Sequence, residues 1–144
     1  TERSQHLMSL GIPLNTDSTL KGQTVFLAER CGELMHDNII TDRTILDVMA
    51  FTMNAKSIPH QDKEAFETYA SEFIREYDYI FYISPYGLEI EDNGVRETDE
   101  HYRDLIDFTI TTLIKRHGHK AGTIEKISGS TEERIQQILN ITSL

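Results

Sequence analysis

An aspartate and an arginine stand side by side at Asp42-Arg43, directly after the apolar and β-branched run Ile39-Ile40-Thr41. A short buried strand cannot bury both charges, so the sequence predicts a strand at Asn38–Ile40 that stops where the pair begins. In parallel α/β sheets, ligands sit at the carboxyl ends of the strands. An aspartate there can hold Mg²⁺ directly or through water, and an adjacent arginine can grip a phosphate with two N–H groups. A surface ion pair at a strand-to-helix turn has the same appearance. Two further arginines, Arg96 and Arg103, flank the first turns of a long helical pattern. They read either as phosphate clamps or as solvated partners of the many acids around them, and spacing alone leans to the second.

Composition removes several other chemistries. The chain has 144 residues, enough for a single domain over 1–144 with one sizeable core. Its formal net charge of -10 argues against a general nucleic-acid or anionic-membrane surface, since both need clustered cations. A small phosphate site, served by a few local cations, is compatible with that charge. The single cysteine, Cys31, excludes an intramolecular disulfide and a cysteine-based zinc cluster, and reads as a small core residue. His117-Gly118-His119 has no further ligands at sensible spacing, and a basic tail suits a helix C-terminus. No apolar run approaches a membrane span and no signal peptide opens the chain, so a soluble cytoplasmic protein is expected.

The elements that must position these residues follow from periodicity. Ser4–Leu10 reads as a short helix stopped by Gly11. Asp17–Met35, capped by Thr16 or Asp17, repeats Leu20, Leu27, Ala28, Cys31, Leu34 and Met35 near helical period, with Gln23, Phe26 and Arg30 on other faces. After the Asp42-Arg43 pair come helices over Thr44–Met53 and Asp62–Tyr77. Tyr79–Ile83 is aromatic and β-branched throughout, a buried central strand closed by Ser84-Pro85. Residues 86–98, with a turn at Asn93-Gly94, form a loop of the length that lids and binding segments have. Thr98 or Asp99 caps a helix to about His117 with Tyr102, Leu105, Ile106, Thr109, Ile110 and Leu113 inward. Thr123–Ile127 alternates as a strand, and Ser130 with Glu133 makes a capping box for a helix over Thr131–Leu139. Strands separated by helices imply parallel right-handed crossovers, hence a layered α/β sheet. Three strands are thin for so many helices, and Thr1-Glu2-Arg3 reads as mid-domain, so one or two further strands are expected before Thr1.

Together the segments TDRTILDVMAF (41–51), YDYIFYISP (77–85), EIEDNGVRETDEHYRDLIDF (89–108) and ISGSTEERIQQIL (127–139), with Gln23 and the Glu2-Arg3 entry, resemble a family. They are similar to the P-loop kinase-type domain of the NadR kinase and its AAA-type ATP-binding relatives, over nearly the whole chain. The resemblance implies a three-layer α/β/α P-loop NTPase-like parallel sheet that uses ATP and Mg²⁺. The family's G-x-x-x-x-G-K-[ST] loop, whose backbone N–H groups cradle phosphates, is absent here, and Gly118–Thr123 has the wrong spacing for it. The expectation is that this segment precedes Thr1.

By the same resemblance, Asp42 would orient or deprotonate the acceptor hydroxyl or help hold Mg²⁺, and Arg43 would bind acceptor or transferred phosphate. Arg96 and Arg103 match lid arginines that close over the phosphates. The loop Ser128, Gly129, Ser130 and Thr131 matches the position beside the adenine ring. Gln23 and Phe26 are plausible acceptor contacts, with Arg3 a weaker candidate. The first functional expectation is an ATP-dependent phosphotransferase acting on a nucleoside, nucleotide or related small molecule. The second is an ATP- or GTP-binding regulatory module without kinase activity, and the third a plain interaction domain.

Overall fold

The most apolar helix, α3 (Ile45–Met53), holds the centre of the molecule. Ile45, Leu46, Val48, Met49 and Ala50 are all buried, and helices pack on three of its sides. Its start is fixed twice. Thr44 Oγ1 accepts from the Leu46 N–H at 3.1 Å, and the Asp47 carboxylate accepts from the Thr44 N–H at 2.7 Å. Such a reciprocal cap contributes about 1 kcal/mol. The Ile45 N–H, another first-turn donor, is taken by the Tyr77 hydroxyl at 3.2 Å. Burial pushes that phenol up to about 12, so it stays neutral in its place.

The computed structural model describes residues 2–86 and 99–144, with side chains from residue 5 onward. Against α3 pack α2 (Leu20–Glu33), α4 (His60–Ala70) and α5 (Glu100–His117); α1 (Glu2–Ser9) and α6 (Thr131–Thr142) are the first and last helices of the described residues. Two strands, β1 (Tyr79–Ile83) and β2 (Thr123–Ile127), pair in parallel with Tyr79 opposite Thr123 and Ile83 opposite Ile127. The chain is thus a mixed α/β protein, mostly helical, and α5 is the crossover between its parallel strands. None of the helices among the described residues is long and apolar enough to cross a membrane.

The return from α5 into β2 is close. Gly122 N–H donates to the Tyr77 carbonyl at 3.0 Å and Thr123 N–H to that of Asp78 at 2.8 Å. A Cβ on Gly122 would lie 2.4 Å from the Asp78 oxygen, so only glycine fits this approach.

Several expectations are corrected. No strand forms at Asn38–Ile40; the segment is irregular, Asn38 has φ 54°, and Ile40 is 95% exposed. β-propensity reflects a fit to a pleated, half-buried surface, and no neighbouring strand supplies one here among the described residues. The sheet accordingly has two strands where three were expected. Helix α2 is capped by Thr19, which accepts from the Gly22 N–H at 3.1 Å, while Thr16 and Asp17 lie in a preceding 3-10 turn (Asn15–Asp17). The helix predicted over Asp62–Tyr77 breaks into α4 and a 3-10 segment (Ser71–Glu76). Ser71 Oγ donates back to the Thr68 carbonyl at 3.0 Å, a bond that competes with the helical ladder. Cys31 is half-buried against the core, and burial pushes its thiol up.

A polar node ties α4 to the end of α5. Glu67, 8% exposed, accepts from Arg116 Nη1 at 2.5 Å and lies 2.8 Å from His117 Nε2. Burial alone would raise the Glu67 carboxyl, but its bonds to His117 and Arg116 outweigh that and hold it below its ordinary value of 4.5. A lowered carboxyl contributes stability above its unfolded value and loses it as pH falls through the folded one. We expect Glu67→Gln to cost about 1–2 kcal/mol at neutral pH. Urea unfolding of both proteins across the acid range checks this: the gap narrows once pH drops below 4.5.

Candidate functional site

The carboxyl end of β1 meets the opening turns of α5. The Tyr82 hydroxyl donates to Asp107 Oδ1, a short bond across this junction. Burial, followed by the Asp107 contact, pushes the Tyr82 phenol up to about 12. One turn before Asp107 on the same helix stands Arg103. Its Nη2 reaches Asp104 Oδ1 only at 3.5 Å, and its Nε is buried with no hydrogen-bond partner among the described residues. A buried, unsatisfied donor on a charged group is costly and marks a place where an acceptor is wanted.

Arg43 is tied to α5 by another route. Its φ of 77° lies in the left-handed region, where a residue with a Cβ is strained by about 1–2 kcal/mol. The Thr41 hydroxyl donates to the Arg43 carbonyl at 2.9 Å and holds this turn. The turn lays the guanidinium over Phe51, with Cζ 5.7 Å from the ring centroid. Phe51 in turn lies against Tyr102, with centroids 6.4 Å apart and planes tilted by 39°. Arg43 is thereby linked through two aromatic rings to the residue beside Arg103. Asp42 is exposed next to it and makes no ion pair among the described residues.

The loop at the carboxyl end of β2 is closed on itself. Ser128 exchanges two bonds with the Gln137 amide, at 2.7 and 3.3 Å. Gly129 has φ 97°, and the Glu133 carboxylate lies over it while accepting from the Ser130 N–H at 2.7 Å. Ser130 Oγ answers by accepting from the Glu133 N–H at 3.2 Å, and Thr131 opens the helix. A carboxylate already occupies this helix start, so the loop suits an uncharged ring better than a phosphate.

The candidates therefore divide. Arg103 lies on α5 near the carboxyl end of β1, Ser128–Thr131 follows the neighbouring strand end, and Arg43, with Asp42 beside it, is tied to α5 only through Phe51 and Tyr102. Gln23 is buried at 3% exposure and Phe26 packs against the core. Arg3 falls in α1 with its side chain outside the description, and Arg96 with the lid-like segment 87–98 lies outside the described residues. Sequence reasoning missed Phe51, Tyr82 and Asp107; the last two lie 25 positions apart, a contact no local pattern announces.

No group of three metal-binding side chains is found among the described residues. Asp42 offers a single carboxylate, which suits Mg²⁺ where nucleotide phosphates and water complete the six oxygens. The buried Nε of Arg103 lacks an acceptor among the described residues. No family model matches the chain, and neither the curated proteins nor the solved structures include a match to it.

Proposed function

We propose that the protein is an ATP-dependent phosphotransferase acting on a nucleoside, nucleotide or related small molecule. The observation that supports this reading is Arg103 on α5 beside the carboxyl end of β1, its buried Nε without a partner among the described residues. Arg43, held at a strained φ, is linked to the neighbouring Tyr102 through Phe51. The P-loop-type three-layer sheet belongs to the same proposal, and the parallel pair bridged by α5 supports it.

In this reading the acceptor hydroxyl attacks the γ-phosphorus, the bond to the β–γ bridging oxygen breaks, and ADP leaves with that electron pair. Asp42 receives or orients the hydroxyl proton. Arg43 and Arg103, with Arg96 from the segment between β1 and α5, neutralise charge on the equatorial oxygens as it develops. Asp42 would help hold Mg²⁺, which would supply further charge neutralisation. The Ser128–Thr131 loop borders the base. Little covalent help is needed, since in-line placement and fixed cations account for most of such catalysis.

The test is transfer of label from γ-labelled ATP with Mg²⁺ to a panel of nucleosides and nucleotides. We expect one acceptor class to be labelled, and Arg103→Ala to lower the rate by about 10²-fold or more. ATP binding with no acceptor labelled would favour the regulatory module instead. Absence of ATP binding would overturn both.

A further inference from the structure

We draw no further inference here: the strongest candidate, the apolar outer face of β1 on which Tyr79 and Ile83 are each 42% exposed and the Tyr79 and Phe81 rings stack, is a surface patch without a partner among the described residues, and nothing in the structure shows what covers it.

Discussion

Arg43→Gly is expected to abolish most of the phosphoryl transfer while leaving the protein as stable as before, or more so. The two effects have opposite signs because Arg43 sits at φ 77°, a conformation that glycine adopts without penalty. Relief of that strain is worth about 1 kcal/mol, against about 0.5–1 kcal/mol lost with the cation–aromatic contact to Phe51. Stability should therefore stay within about 1 kcal/mol of wild type. Transfer should fall by about 10³-fold, the usual worth of a guanidinium on a moving phosphoryl group. Urea unfolding and labelled-ATP assays on the same preparations read the two quantities separately. Arg43→Ala serves as the companion, since it removes the charge and keeps the strain. A Gly variant that loses stability in step with activity would mean that Arg43 is structural and its strain incidental.

Met49→Ala should produce the largest loss of stability of any conservative change considered. Met49 is fully buried on α3, among side chains from the surrounding helices. Its truncation removes apolar contacts and leaves a hole that neighbouring elements cannot close together, a cost of about 3 kcal/mol. For a chain of this size that corresponds to a fall in Tm of roughly 10 °C. Met35, just past the end of α2, is 84% exposed, and Met35→Ala should change stability by less than about 0.5 kcal/mol. Thermal unfolding of the pair gives a direct comparison at equal chemistry. Similar effects at the two sites would show that α3 is not the centre of the core.

Where local pattern and tertiary surroundings agree, the chain could be read directly. Tyr79–Ile83 and Thr123–Ile127 are strands with the expected limits, Asp99 caps α5 and Ser130 with Glu133 caps α6. Each of these signals lies within a few residues of the feature it specifies. Asn38–Ile40 failed because its β-branched residues state a preference that only a neighbouring strand could realise, and Ile40 instead faces water. The Thr44–Asp47 cap was present in the letters and passed over. The site was legible in part. Arg43 and Arg103 were chosen for their type and their neighbours, but what connects them, Phe51 on Tyr102, depends on how α3 crosses α5. Gln23 was chosen as a ligand contact, and the packing of α2 encloses it.

The strand pairing carries a consequence for how the chain is made. Tyr79 finds Thr123 only after the polypeptide has run out along the full length of α5 and back. Closing so distant a contact costs entropy before any ladder bond repays it, whereas helices assemble from neighbours. A ribosome releasing this protein would expose α2, α3 and α4 together well before β2 emerges. The aromatic strand Tyr79–Ile83 must meanwhile wait without its mate, which makes that interval the one in which a chaperone has most to shield.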